Sequence, residues 1–265
     1  MKISLTPEQE TLLIPLYAKA QPGNPLFFDP KAREILNLVD YDFSQLRVPY
    51  KTVVLVCQRA KKLDAVTRDF LTGHPGGTVL HLGCGLDSRF LRVDDGRVEW
   101  FDLDMLPVID LRKRFYAEGE RYHAISSPVM ELDWMDAVSA AGRPVLAVAE
   151  GLLMYLGEAD VRCLLLGMRE RFPGCRLIAD VFSRQTARSA TRHPSLRKTG
   201  ASIGWGIDDP HEVESWSQGI RLLEEWYFTQ DPDLDRLSLG YRLAYKLAGA
   251  FPVVRRAHRI LYLQL

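Results

Sequence analysis

Five short apolar runs rich in β-branched residues, TVLHL, RVEWFDL, RYHAI, PVLAVA and CRLIADV, follow one another between residues 78 and 181. Amphipathic stretches lie among them: MLPVIDLRKRFYAEG, the segment around Trp134, and GEADVRCLLLGMRERF. Such alternation leaves a chain few options. Parallel neighbours need long crossovers, and runs that are apolar throughout must be buried on both sides. The expected fold is therefore α/β, a mostly parallel sheet with helices on both faces, centred on residues 76–182.

Ahead of the sheet, DPKAREILNLVD places Ala32, Ile35, Leu36 and Val39 on one helical face, opened by Asp29 with Pro30 in the first turn. A longer helical pattern runs from about Val53 to Leu71, so residues 1–75 read as a helical cap. Beyond the sheet, GIRLLEEWYFTQ and HRILYLQL read as added strands, a hairpin-like antiparallel edge around a helical stretch near 237–250. The polar segment 183–209 is the candidate substrate lid. With no linker in view, 1–265 is expected to be one domain: cap 1–75, core 76–182, and lid with C-terminal part 183–265.

Charge narrows the partners. Lys and Arg number 34, as do Asp and Glu, so no electrostatic footprint for nucleic acid or an acidic membrane exists. No run reaches the roughly 18 apolar residues of a membrane span. The opening MKISLTPEQE lacks the basic-then-apolar layout of a secretory signal. Cys57, Cys84, Cys163 and Cys175 are far apart, with no C-x-x-C and no His at metal-ligand spacing. The expectation is a cytoplasmic protein with buried free thiols and no metal.

The first strand breaks into TVLHLGCGLDSRF. Gly83 and Gly85 permit a sharp turn and a close backbone approach to a ligand, and ligands of open parallel sheets sit beyond the carboxyl ends of the strands. Asp104 closes the second strand 19 residues after Gly85, where an acid can accept from ribose hydroxyls. A dinucleotide site needs a third glycine and a helix amino end for its pyrophosphate. Ser88 stands there instead, and Asp87 inside the turn would repel two phosphates by about 1 kcal/mol or more. S-adenosylmethionine carries no phosphate, and its sulfonium and ammonium favour a neighbouring acid. The turn points to that cofactor. Farther on, AVAEGLLMYL ends an apolar strand in Glu150, either an acceptor for the cofactor ammonium or a helix-capping or exposed acid.

LLIPLYAKA, DPKAREILNLVDYDF, HLGCGLDSRF, WFDLDMLPVIDLRKRF, AEGLLMYL and DDPHEVESW together resemble the leucine carboxyl methyltransferase family, and more narrowly its bacterial, tetracenomycin-type polyketide O-methyltransferases. The resemblance runs from about residue 5 to 262; the GCGLDSR and EGLLMYL blocks are its most specific parts. It implies a Rossmann-like class I methyltransferase fold, S-adenosylmethionine as methyl donor and S-adenosylhomocysteine as product. The family's carboxylate-gripping arginine falls on Arg59, and its upstream basic residue, ten before an Asp-Pro, on Lys19. Asp104 takes the ribose role, Glu150 the ammonium role, and Glu131 the adenine-side role, with Asp133 a rival for the last. Read alone, Arg59 is one of several basic residues on a helix; the resemblance promotes it. Where the family commonly shows Asp-x-Pro-Glu-Val, Asp104 is followed by Met105-Leu106-Pro107-Val108, which implies a small shift of the next helix.

The implied chemistry is an in-line displacement, in which alignment and proximity do most of the work. A carboxylic acid acceptor arrives ionised at neutral pH, whereas a phenol needs help losing its proton. No convincing base accompanies the motifs: His81 reads as a packed residue of the first strand, and His193 and His211 flank the lid. That leans towards a carboxylate of a small, polyketide-like acceptor, with a hydroxyl still open. Tyr155 is the candidate catalytic residue. Tyr17, Arg184 and Trp205 are the candidate acceptor contacts, with Arg188, Arg192 and Arg197 in the same lid. Two rivals remain, a non-catalytic binder of the same fold and a nicotinamide-dependent oxidoreductase. The intact site residues weigh against the first, and Asp87 with Ser88 against the second.

Overall fold

Seven strands form one sheet in the order β3-β2-β1-β4-β5-β7-β6. The structure is a computed structural model and describes residues 7–140, 142–190 and 202–265. The first five strands are parallel: β1 (Thr78–Leu82), β2 (Glu99–Asp104), β3 (Tyr122–Ser126), β4 (Val145–Ala149) and β5 (Arg176–Phe182). β6 (Arg221–Tyr227) and β7 (His258–Gln264) complete it, β7 running antiparallel to both neighbours. All residues of β1 and β4 are buried, as their unbroken apolar runs require.

One face packs against α6 (Glu158–Arg171) through Val161, Leu164, Leu165 and Met168. The other is covered by α1 (Pro7–Lys19), α2 (Pro30–Leu38) and the 24-residue α3 (Tyr50–Gly73). Asp29 caps α2 as its position suggests, its Oδ1 accepting from the backbone amides of Lys31 at 3.0 Å and Ala32 at 3.1 Å. Short helices α4 (Arg89–Val93) and α5 (Leu106–Arg112) follow β1 and β2. Three more lie towards the C-terminus: α7 (Arg184–Ala190), α8 (Leu239–Ala250) and α9 (Pro252–Arg255). Among the described residues no helix is long and apolar enough to cross a membrane.

Four expectations need correction. The stretch from Met105 to Gly119 is helical only as far as Arg112, because Arg112 turns inward to bond buried Asp102 and the Tyr122 hydroxyl. The added strands do pair antiparallel, but β7 is interior, inserted between β5 and β6, and only β6 is an edge. The described parts of the segment 183–209 are packed elements rather than one loop. The segment starts as α7, and on its return the amides of Gly204 and Trp205 donate to the Met154 carbonyl at 2.9 and 3.2 Å. A Cβ on Gly204 would stand 2.5 Å from the Leu156 carbonyl oxygen, so glycine is what permits this docking. Finally, Cys57, Cys84 and Cys175 are buried, but Cys163 is exposed on α6.

Candidate active site

The strand order reverses between β1 and β4, and the crevice beyond their carboxyl ends holds two adjoining cavities of about 280 and 250 Å³. Gly83 lines both. Its φ is +62°, and a Cβ there would come within 3.0 Å of Leu152 Cδ1, so the wall between the cavities closes only around a glycine. Asp104 lines the smaller cavity. Its Oδ2 accepts from the Gly85 amide and its Oδ1 from the Met105 amide, both at 2.8 Å, tying the glycine turn to the start of α5. Burial pushes the Asp104 carboxyl pKa up. The remaining wall is apolar or small: Met105, Ser127, Pro128, Val129, Met130, Leu152 and Leu156.

The larger cavity is charged. Lys19, Arg59, Asp87 and Glu150 line it beneath Leu12, Pro15 and Leu16 of α1, with Tyr155 and Phe182 on its flank. Glu150 accepts from Arg59 Nε at 3.1 Å and from Arg89 Nη2. Asp180 accepts from Arg59 Nη1 and His258 Nε2, each at 2.8 Å, and from the Gly151 amide at 2.6 Å. Asp87 pairs with Lys19 Nζ at 3.2 Å, Arg92 Nη1 at 2.8 Å and Arg89 Nη2 at 3.3 Å. Behind them Asp64 takes Arg89 Nε at 2.8 Å and Arg92 Nε at 2.7 Å. Burial alone would raise these carboxyl pKa values. For Asp87 it is overcome by Arg92, Lys19 and Arg89, which hold the group well below the usual range; for Glu150 Arg59, Arg89 and Lys19 prevail, and for Asp180 Arg59 and His258. Buried charges of both signs are thus matched in place.

His81 also reaches the larger cavity, although it is fully buried. Arg89 Nη1 can only donate, so His81 Nε2 at 3.2 Å accepts, and the hydrogen on Nδ1 goes to Asp102 Oδ1 at 3.0 Å. Asp102 receives in addition Trp100 Nε1 at 2.8 Å, the Tyr122 hydroxyl at 2.6 Å and Arg112. Burial would raise its pKa, yet Arg112 and His81 bring it to about 2. Asp102 is fully buried within the sheet and lines neither cavity.

Of the residues singled out from sequence, Lys19, Arg59, Gly83, Gly85, Asp87 and Glu150 converge on the larger cavity, and Gly83 and Asp104 on the smaller. Asp87 corrects the reasoning that selected it. It is not a bare negative charge in the turn but the common partner of three cations, and only its Oδ2 lacks a hydrogen bond. Glu131 is exposed just past the Ser127–Met130 wall and lines neither cavity. Tyr17 stacks on Phe43, centroids 6.2 Å apart, outside the crevice. Trp205 is buried in the core against Trp216, and Arg184 is engaged by Glu212 at 2.6 and 2.9 Å; neither lines the crevice. His211 is exposed and bonded to Glu214 at 2.9 Å. Arg192, His193 and Arg197 fall outside the described residues. Three site residues went unassigned in sequence: Arg89, Asp180 and His258. Two carried a signal, since Arg89 ends the GCGLDSR block, and Asp180 is an acid inside an apolar strand, which demands a buried partner. His258 carried none, because only the insertion of β7 beside β5 brings it there.

Comparison with known proteins gives a consistent result. Residues 16–168 match the leucine carboxyl methyltransferase family. The chain is 42% identical to the tetracenomycin polyketide synthesis O-methyltransferase TcmP of Streptomyces glaucescens, over 98% of this chain and 97% of that protein. It is 31% identical to the S-adenosyl-L-methionine-dependent methyltransferase dpfgK of Gibberella zeae, over 87% and 85%. Among solved structures, a DUF574 family protein from Streptomyces avermitilis superposes with a TM-score of 0.63 at 12% identity, over 97% and 99% of the two chains. Magnesium protoporphyrin IX methyltransferase from Synechocystis, solved with S-adenosylhomocysteine bound, gives 0.50 at 12% identity, over 88% and 92%. At such identity the structural likeness is one of fold.

Proposed function

The chain belongs to the leucine carboxyl methyltransferase family and is an S-adenosylmethionine-dependent O-methyltransferase, and from that premise we propose how its residues divide the work and which oxygen it methylates. Arg59 and Lys19 hold the cofactor carboxylate, Asp87 and Glu150 its ammonium, and Asp104 its ribose. Val129, Met130, Leu152 and Leu156 of the smaller cavity would hold the adenine, with Ser127 rather than Glu131 as the nearby polar group. Asp87 Oδ2 supports this fit: it is a buried carboxylate oxygen in the cavity wall, ion-paired with Arg89 Nη2 at 3.3 Å but without a hydrogen bond, and an ammonium would supply one. When bound, the cofactor supplies an electrophilic methyl group on its sulfonium. The protein aligns the acceptor, excludes water under α1 and fixes the charges. Cap, core and C-terminal part act as one unit, and free, unpaired cysteines suit a cytoplasmic setting.

The acceptor reading rests on one observation. Among the described residues lining the crevice, no titratable side chain is free to take a proton from a neutral hydroxyl. His81 Nε2 is occupied by Arg89, the oxygens of Glu150 are held by Arg59 and Arg89, those of Asp104 by the Gly85 and Met105 amides, and Asp87 is kept strongly acidic by its cations. Tyr155, whose pKa burial raises, remains a hydrogen-bond donor at neutral pH. Such a site suits an oxygen that arrives ionised. We infer that the acceptor is the carboxylate of a small polyketide-like acid, the product a methyl ester, and Tyr155 with Phe182 the nearest acceptor contacts.

Matched aromatic pairs carrying either a carboxylic acid or a phenol, supplied with S-adenosylmethionine, test this. The acids should be converted to esters, at a rate nearly flat from pH 6 to 9 because the acceptor is ionised throughout. Turnover confined to the phenols, rising with pH, overturns the carboxylate reading.

A further inference from the structure

His81 stands between Asp102, within the sheet, and Arg89, beside the charged cavity. It is the fourth residue of β1, in register with Asp102 on the neighbouring β2, and both are fully buried. An ionised Asp102, already taking Trp100, Tyr122 and Arg112, can only accept, so it receives the Nδ1 hydrogen. The guanidinium of Arg89 can only donate, so it requires a bare Nε2. Two neighbours on opposite sides of the ring therefore select the same neutral tautomer independently. The Trp100 indole packs edge-on against that ring, centroids 5.9 Å apart. Arg89 is fully buried as well, and each side of its guanidinium is engaged. Nε donates to Asp64 at 2.8 Å, Nη1 to His81 at 3.2 Å, and Nη2 to Glu150, with Asp87 Oδ2 at 3.3 Å. His81 is the uncharged member of that set. A carboxylate in its place would compete with Glu150 and Asp87 for the guanidinium, and a cation would repel it. A neutral acceptor satisfies the Nη1 hydrogen and leaves the charge of Arg89 to the acids.

We propose that His81 is a positioning residue for cofactor binding: its bare Nε2 sets Arg89, and Arg89 in turn fixes Glu150 and Asp87 to receive the cofactor ammonium, an inference that rests on the ammonium role given to those two acids above. The effect is directional. A guanidinium is a flat, rigid fork, so anchoring Nη1 also determines where Nη2 points. Without that anchor the buried Nη1 hydrogen must find another acceptor, and the carboxylates around Arg89 include the two that the cofactor needs. The adenosyl part, assigned to the smaller cavity, does not depend on this chain of contacts.

The test compares S-adenosylhomocysteine with methylthioadenosine, which shares the thioether nucleoside and lacks the amino-acid end. In His81→Asn the amide can still donate to Asp102, but nothing accepts from Arg89. In His81→Gln the amide oxygen reaches towards Arg89, and the donor to Asp102 is lost. By calorimetric titration, His81→Asn should weaken S-adenosylhomocysteine at least about tenfold and methylthioadenosine by no more than about twofold, and His81→Gln should recover most of the loss. Nitrogen-resolved NMR of the wild-type histidine rings, which needs no variant, should find the His81 proton on Nδ1 and a bare Nε2 at neutral pH. A proton on Nε2 overturns the proposal. So does an affinity that follows the melting temperatures of the variants and falls alike for both ligands, which would leave His81 a packing residue. Glu150→Gln is the reference and should weaken S-adenosylhomocysteine selectively too. If it does and His81→Asn does not, the role of His81 alone is refuted; if neither variant separates the two ligands, the ammonium reading falls with it.

Discussion

Replacing Asp180 with Asn probes the site where its electrostatics are most concentrated. Asp180 is completely buried, and its three partners, Arg59 Nη1, His258 Nε2 and the Gly151 amide, are all donors. An asparagine keeps one oxygen, so its amide nitrogen must confront at least one donor, and Arg59 loses one of its two carboxylates. Breaking a buried pair while leaving a partner behind costs about 3–5 kcal/mol. For a chain of this size that lowers the melting temperature by roughly 6–15 °C. Binding should suffer separately. Held only by Glu150, the Arg59 guanidinium no longer stays fixed beside the turn at Gly151, and the dissociation constant for S-adenosylhomocysteine should rise about 10- to 100-fold, equal to about 1.4–2.7 kcal/mol. Urea unfolding measures the first quantity and calorimetric titration the second, below the variant's transition. A destabilised variant that binds within twofold of the parent would make Asp180 a packing residue only. An undiminished stability would refute the reading of the three-donor arrangement itself.

Arg59→Ala should weaken S-adenosylhomocysteine binding at least about tenfold, and Arg59→Lys should recover only part, because an ammonium cannot reach Glu150 and Asp180 with a planar fork; titration calorimetry decides. Asp104→Ala should weaken binding and also loosen the glycine turn, since it removes the acceptor of the Gly85 amide; unaltered affinity in a folded variant would move the ribose contact elsewhere. Asp102 has its pKa depressed to about 2 in the folded protein, so its ionised form stabilises the fold fully above about pH 4, and that contribution, about 2 kcal/mol, disappears as pH falls through 2. The stability gap between the parent and Asp102→Asn should accordingly narrow from pH 5 to pH 2 in denaturant titrations; a constant gap contradicts it. A thiol reagent on the native protein should modify Cys163 alone at first, because burial pushes the Cys57 and Cys175 thiols to about 12 and Cys84 well above its usual value. Prompt loss of all four thiols argues against that packing.

The parallel core was legible because its strands are apolar throughout and its turns carry glycine, both local properties of the chain. The sites that follow strand ends, Gly83, Gly85, Asp104 and Glu150, were legible for the same reason: a strand end fixes where its next side chain lies. Long-range partnerships were not. Nothing within CRLIADV says that Asp180 joins Arg59 to His258, since those residues meet only once α3 crosses the sheet and β7 enters it. The burial of Trp205 was not legible for a related reason. An aromatic in a polar stretch suggests a stacking surface, but Gly204 lets the backbone dock on Met154 and Leu156 and carries the indole into the core. Asp87 was identified correctly as unusual, and two of its cations, Arg89 and Arg92, follow it closely in sequence, but the third, Lys19, comes from α1, whose approach a local reading cannot supply.

The ribosome delivers this sheet out of spatial order. β6 is synthesised about 30 residues before β7, yet β7 is its sole neighbour and also separates it from β5. Until residues 258–265 leave the exit tunnel, β5 has a bare edge, β6 has no ladder to join, and Asp180 lacks His258. Pairings made that late expose unpaired edges to neighbouring nascent chains and slow the last step of folding. Loss of residues 258–265 would therefore remove a central staple of the sheet, and with it part of the clamp on Arg59.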